Sequence, residues 1–534
     1  TAITRAVARE IAEREHIKAL LAGSIAGLGR NYVVALEAVN AATGDVMARE
    51  QVEASSKEEV LSALGRAAAS LREKLGESLA SVQKFDAPLA RATTGSLEAL
   101  KHYSLALDNG AVNPRLDAIP HLERAIELDP NFALAMALLA TVYSNNGQTA
   151  LAPEYAKRAY DLRDRVSERE RYFIAYRYYR DATQDWEEAL NLSRTWTSTY
   201  PREAFAFNSL GQALLRFGQQ EAAIEPFRRA IQLDPRFQAP YSNLVAALMA
   251  LGRNDEALQV VEEAARAGAP SFPIRRMQYL LAFMRGDEQT MARMLNASVG
   301  VGQTNAAYGW QAHALGARGH LAEAHEEFQL GARTALQNGY REVAGQLQIE
   351  DGEVHALLGT CADAVAHAEA GLKLTRDNYS LERGSRVMLL CGHADEGGQL
   401  IRELRARYPD ATLTHRVSVP IAEAAGALQQ GDPRRALALL EPVRPYDRAS
   451  RSGFWAEFVR GEAYLRAKDP AAAAADPNSV LYPLAHLRLA RAQAALGDSA
   501  AARATYRKFL DLWASADADL TLFTDARREL ARLD

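Results

Sequence analysis

Cysteine is nearly absent from this 534-residue chain, and two residues, Cys361 and Cys391, are too few for the disulfide framework of a small secreted fold. Their spacing fits no zinc pattern. Both fall near helix–helix corners of adjacent units, where a single bridge is conceivable, but the preferred reading is two small buried residues. Long apolar runs are missing as well. The best, Phe132 to Tyr143, has about 12 residues where a membrane span needs about 18. Nor is there a positive excess: the net charge of −5 and pI near 6.2 give no global field to recruit nucleic acid or anionic lipid. Lysine supplies only nine of the 62 basic residues, which reads as a GC-rich genome before it reads as a binding surface. No signal peptide opens the chain, because Thr1 to Ala12 is amphipathic and charged. The missing initial Met suggests a processed or trimmed piece of something longer.

What is present is a period. Within residues 204–271 the sequence repeats every 34 positions: Phe207 aligns with Tyr241, Leu210 with Leu244, Leu214 with Leu248, Gly218 with Gly252, Ala223 with Ala257 and Ala230 with Ala264. Each unit reads as two helices whose small residues allow close approach while larger apolar ones fill the seam. A Pro closes several second helices, at Pro130, Pro201, Pro235 and Pro409. One such unit cannot bury its apolar face alone and must stack on its neighbours. This pattern resembles the tetratricopeptide repeat (TPR). The fold class it implies is mainly α, a right-handed TPR α-solenoid of about 12 repeats. Repeats are expected over 96–271, a degenerate one over 272–302, and further repeats over 303–519. The unit after Phe454 looks shortened near Ala475. Residues 520–534 should form a capping helix with Arg527, Arg528, Glu529 and Arg532 outward.

Residues 1–83 differ. A helix over Ala6 to Glu15 is followed by an apolar stretch from Lys18 to Ile25, the alternating strand Asn31 to Asn40, and a third strand from Val46 to Val52. Ala26 to Arg30 reads as a hairpin loop, and its glycines fit no phosphate-binding spacing. Ser55 or Ser56 with Glu58 and Glu59 reads as a capping box opening a second helix that runs to about Gly76. The result is a small α-β-β-β-α module, with a linker over 84–95. Ala22-Gly23-Ser24-Ile25, Tyr32 to Ala38, Ala42-Thr43-Gly44-Asp45 and Thr93 to Leu100 resemble the TolB-like module that precedes TPR arrays in bacterial regulators and receptor-type serine/threonine kinases. Val166 to Glu170, Tyr178-Tyr179, Tyr200-Pro201-Arg202 and Phe509 to Trp513 resemble arrays of acidobacterial-type kinases with periplasmic sensor regions. Such modules usually begin with one more strand and helix, so the resemblance implies further chain before Thr1.

Catalytic motifs do not appear. There is no Gly-rich nucleotide loop, catalytic-loop HRD or DFG, so a linked kinase would lie upstream and this chain reads as no enzyme. No cofactor is expected and no metal ligands are assigned. His320 and His325 lie five apart, on different helical faces; Asp363 and His367, at i and i+4, read as a local hydrogen bond. Arg171 to Arg180 offers an aromatic and basic surface through Tyr172, Tyr176, Arg177 and Arg180, although the i, i+4, i+7 tyrosines fit packing better. In the best repeat pair a peptide groove should be lined by Phe205, Asn208, Gln212, Arg216 and Ser242. It lacks the Lys of the clamps that hold an acidic chain terminus.

The expected function is therefore a non-catalytic protein–protein interaction scaffold or sensor region that binds a protein or extended peptide segment and no nucleic acid. Two alternatives are a self-assembling oligomer or filament, and the regulatory half of a kinase tethered to a membrane by a segment upstream. By resemblance the location is extracytoplasmic, with cytoplasmic as the alternative.

Overall fold

A computed structural model describes residues 8, 12, 18–29, 31–57, 59–77, 94–108, 116–269, 271–298, 304–449, 452–466 and 481–533. The chain divides into two compact units, one of residues 1–142 with 154–177 and the other of 143–153 with 178–534. The sequence boundary at 83 falls inside the first.

In the first unit, β1 (Ala19–Leu28), β2 (Asn31–Asn40) and β3 (Val46–Ala54) form one antiparallel sheet in the order β1-β2-β3. The first hairpin is tighter than expected: Gly27 pairs with Tyr32 and Leu28 with Asn31. Asn40 closes the second turn, its side chain accepting from the Ala42 and Thr43 amides. Helix α1 (Val60–Lys74) covers β2 and β3, burying Val34 and Ala54 against Val60 and Ala63, and Ala38 and Ala48 against Leu71. The expected capping box does not form as such. Glu59 itself precedes the helix and reaches back to accept from the Ser55 amide at 3.1 Å. The helix expected over Ala6–Glu15 lies outside the described residues, apart from positions 8 and 12. Helices α2 (Leu97–Asp108) and α3 (Ile119–Leu128) pack as the first hairpin, followed by α4 (Ala133–Asn145), α5 (Leu151–Asp161) and α6 (Glu168–Arg177).

The second unit is a run of helical hairpins. A π-helical turn, Tyr178–Thr183, leads into α7 (Trp186–Thr199). The reference pairs follow: α8 (Ala204–Arg216) with α9 (Gln220–Leu233), then α10 (Gln238–Ala250) with α11 (Asn254–Arg266). Segment 272–302, irregular in sequence, still contains a hairpin of α12 (Phe272–Arg285) and the nine-residue α13 (Glu288–Asn296). Next come α14 (Thr304–Ala317) with α15 (Leu321–Gln337), α16 (Arg341–Leu358) with α17 (Cys361–Leu374), and α18 (Asn378–Leu390) with α19 (Ala394–Arg407). A second π-helical turn, Thr414–Ser418, runs into α20 (Val419–Gln429), which pairs with α21 (Pro433–Leu440). Helix α22 (Trp455–Arg466) is the first helix of the unit expected to be shortened, whose second helix, expected over Pro470 to Ala475, lies outside the described residues; α23 (Leu481–Ala495), α24 (Ser499–Leu512) and α25 (Thr521–Ala531) follow.

Close approach within a hairpin depends on residue size. A Cβ added at Gly211 would sit 2.5 Å from the Phe227 ring, so the missing side chain on α8 is the space Phe227 of α9 occupies. In the last helix, Glu529 turns inward: it accepts from Arg491 at 2.8 and 2.9 Å and from the Tyr506 hydroxyl, while Arg527 and Arg528 stay outward as expected. The preferred reading of the cysteines is overturned. Cys361 at the start of α17 and Cys391 just past the end of α18 are joined by a disulfide, with their Cα atoms 5.4 Å apart. Adjacent hairpins bring those two corners together, which helical spacing alone does not reveal. Closing a 30-residue loop is worth about 3–4 kcal/mol in the chain-entropy account.

The array also docks on itself. Corners between the two helices of early hairpins touch segments about 200 residues later. The Thr149 hydroxyl donates to Asp377 at 2.6 Å, Thr412 donates to Asp185 at 3.0 Å, and Arg416 pairs with Glu187 at 3.0 Å. The Gln220 amide donates to the Arg448 carbonyl, beside a Phe217–Tyr446 ring contact. The Trp513 indole donates to the Ala317 carbonyl at 3.1 Å, and the Asp517 amide to the Gly319 carbonyl. Sequence offsets run from 195 to 229, which at 34 residues per repeat is about six hairpins. Successive turns of the winding therefore touch edge to edge.

Gly218 and Gly252 occupy equivalent corners with φ of +74° and +73°. A side chain at either strains the backbone equally, but only at Gly218 does it meet the next turn, 2.7 Å from the Ala449 nitrogen. Gly218→Ala should therefore cost about 1–3 kcal/mol more than Gly252→Ala in chemical denaturation. Equal losses would mean that the turns do not pack.

Candidate interaction surface

The five positions expected to line a groove are more enclosed than their spacing suggested. Asn208 is only 2% exposed and accepts from the side-chain amide of Asn243, on the next first helix, at 3.0 Å. An amide carries both donor and acceptor, so it can bridge one repeat to the next without leaving a buried group unpaired. Ser242 is also buried and donates to the Ala239 carbonyl. Phe205 is half-buried between the rings of Trp196 and Phe237, at 5.8 and 5.9 Å. The Arg216 guanidinium lies over Trp186 at 4.9 Å, and Gln212 is half-buried. Asn208 and Ser242 thus belong to the seam between helices.

The aromatic and basic stretch is likewise largely interior. Tyr176 and Arg177 are buried and Tyr172 is half-buried. Arg180 pairs with Asp181 at 3.2 Å and donates to the Ser144 hydroxyl. The i, i+4, i+7 tyrosines mark packing, and an exposed stacking platform is excluded at Tyr176 and Arg177.

A different set of first-helix residues forms a continuous polar line, and sequence reading did not single it out. It begins at His313 on α14, whose Nε2 lies 2.9 Å from Glu350 on α16. The other Glu350 oxygen accepts from the Tyr379 hydroxyl on α18. One turn along α16, Glu353 accepts from both Arg383 and Arg386 of α18, the Arg386 Nε at 2.7 Å. Arg386 in turn lies over the Trp455 ring of α22 at 4.5 Å. Beside it Glu382 accepts from the Thr414 hydroxyl, which also accepts from the Asn378 amide at 2.8 Å. The hydrogen-bonded partners are 29 to 37 residues apart, one repeat or close to it, so stacking places them on neighbouring rungs.

Burial makes this line costly to break. The Glu353 and Arg386 side chains are 7% and 6% exposed, while His313 at 41% and Arg383 at 25% reach the surface. Burial opposes ionisation of Glu350, yet its hydrogen bond from His313, the nearby His313 and Arg383 charges and the Tyr379 hydroxyl outweigh it and hold its pKa down to about 2. Burial pushes the Tyr379 hydroxyl well above its ordinary value. The resulting face carries both signs of charge in fixed positions.

Among the described residues, one group of metal-ligating side chains converges closely enough to share an ion: His325, Asp351, His355 and His367. Sequence reading weighed His325 against His320 and His367 against Asp363, each along a single helix. The structure separates those pairs. His320 bonds Glu323 and Ser515, and Asp363 lies 4.0 Å from His355. The legible signal was Asp351 with His355, four apart on one face of a helix.

Comparison with known proteins places the repeats. Tetratricopeptide-repeat profiles match residues 121–152 and 214–281. No curated protein matches the chain. Among solved structures it is similar to Pseudomonas aeruginosa PilF (21% identity, 38% of this chain and 90% of that one, TM-score 0.26). It is also similar to human IFIT1, solved as a dimer with PPP-AAAA (15%, 79% and 91%, TM-score 0.36), and to yeast Tom70 (12%, 76% and 96%, TM-score 0.29). The chain is a mainly helical protein built on tetratricopeptide repeats, with a small three-stranded sheet before them.

The depressed pKa of Glu350 contributes stability that is fully present above its ordinary value of 4.5 and is lost as pH falls toward 2. The size is on the order of 3 kcal/mol. In urea unfolding across that window, His313→Ala with Tyr379→Phe should flatten the acid limb. An unchanged slope would mean that Glu350 is not held by this pair.

Proposed function

We propose that this chain is a non-catalytic protein-interaction scaffold, the sensor region of a bacterial protein, which holds an extended polypeptide along its first-helix face. The observation that carries this reading is the tetratricopeptide hairpin itself, a unit suited to binding protein partners. A row of first helices presents side chains at regular intervals, which suits recognition of an extended chain over several repeats. The bound Glu350–Tyr379 and Glu353–Arg386 pairs fix those helices before any partner arrives, which lowers the ordering cost of binding.

The sensor role rests on the TolB-like and kinase-array resemblance of the sequence, and it implies an extracytoplasmic location. The Cys361–Cys391 bridge supports that location, since disulfides persist in oxidising compartments.

Two measurements test the reading. A photo-crosslinking residue placed at Gln212 or His313 should capture protein in the native host, and one at Glu225, exposed on the second helix α9, should not. Adducts only from Glu225 would place the partner on the opposite face and defeat the proposal. For the compartment, Cys361 and Cys391 should resist alkylation until reductant is added; two freely alkylated thiols in the native host would remove the extracytoplasmic assignment.

A further inference from the structure

Three consecutive helices bring the His and Asp side chains of the cluster together. His325 projects from α15, Asp351 and His355 from successive turns of α16, and His367 from α17. The close crossing of α16 and α17 makes this convergence. A Cβ at Gly352 would meet the Ala364 carbonyl at 2.7 Å, and one at Gly345 would meet the Gly371 carbonyl at 2.8 Å. Only glycine at these positions lets the two backbones approach so closely.

The His325 Nδ1 lies 2.7 Å from Asp351 Oδ2, the His367 Nε2 3.8 Å from the same oxygen, and the His355 Nε2 3.6 Å from Oδ1. All four ligand atoms fall within 4.8 Å of one another. The Asp351 side chain is 1% exposed and that of His355 9% exposed, and Asp351 Oδ1 and His355 Nε2 have no hydrogen-bond partner. A buried carboxylate oxygen and an imidazole nitrogen left unmatched and facing each other are costly in a packed interior. A cation between them satisfies both.

We propose that His325, Asp351, His355 and His367 form a structural zinc site that staples α15, α16 and α17. Three imidazoles and one carboxylate are a donor set zinc accepts, and four protein ligands close a tetrahedral shell with no open position for catalysis. The outer contacts suit this role. The His355 Nδ1 lies 2.8 Å from the Thr360 hydroxyl, which directs Nε2 into the cluster, and Gln329 donates to Asp351 Oδ2 at 3.3 Å. Entry is open on one side: His325, 36% exposed, forms part of the wall of a surface hollow of about 430 Å³ with Glu326, Gln329 and Arg333. The staple ends near the disulfide, because α17 begins at Cys361.

The test uses the full chain stripped with chelator and titrated with zinc chloride in a calorimeter. One equivalent should bind and raise Tm, and Co2+ in its place should give the intense visible bands of a tetrahedral site. His325→Ala, at the rim, should abolish stoichiometric binding while far-UV circular dichroism stays native. Thr360→Ala should weaken affinity about 10–100-fold, and His320→Ala should leave it unchanged. Asp351→Asn repeats the test from the interior if that variant folds. Absence of zinc uptake by the folded wild type, or uptake retained by His325→Ala with His367→Ala, would overturn the site and leave a buried His–Asp hydrogen-bond network in its place.

Discussion

The seam between paired helices, kept narrow by small side chains, is the constraint on which the other features rest. Phe227 can enter α8 only because position 211 has no side chain, and α16 can lie against α17 only because Gly345, Gly352 and Gly371 expose backbone. Each hairpin so formed has an apolar flank with nowhere to go but the next hairpin. From that one requirement come the stack, the spacing of about one repeat between polar partners on first helices, and the convergence of three helices around Asp351.

Within this frame, polar groups are placed where repetition can satisfy them. Asn243 reaches Asn208, Glu353 is shared by two arginines of the next first helix, and Thr414 serves both Asn378 and Glu382. Such buried pairs add little net stability relative to apolar packing, but a shifted register would strand a charge in the interior. Their effect is to specify which hairpin lies beside which. Asp377 does the same across a longer distance: one carboxylate oxygen caps α18 through the Ser380 amide, while the other accepts from Gln346 and from Thr149.

The repeat was legible because it is written in local spacing. Helix ends at Leu128, Thr199, Leu233 and Arg407 fall just before the prolines at 130, 201, 235 and 409, where a helix cannot continue. The strands of the small module were legible for the same reason, through alternation. Sites were not. Whether Asn208 faces a groove or a neighbour depends on the packing of α10, and no periodicity within α8 carries that information. His325 and His367 were judged by what lay four or five residues away, whereas their partners arrive from other helices 26 and about 16 residues distant in sequence. The disulfide escaped for an equivalent reason, since two corners become neighbours only once hairpins stack.

The edge-to-edge seating of one turn on another has a consequence for how this chain can change over evolutionary time. An open array tolerates gain or loss of a unit, because each repeat answers only to those on either side. Here Thr149 answers to Asp377, Asp185 to Thr412, Gln220 to Arg448 and Gly319 to Asp517. Deleting the hairpin between residues 319 and 377 would shorten the span of all four of these long-range seats and misalign them at once. The number of repeats is thereby a specified quantity, counted by the distance around the winding.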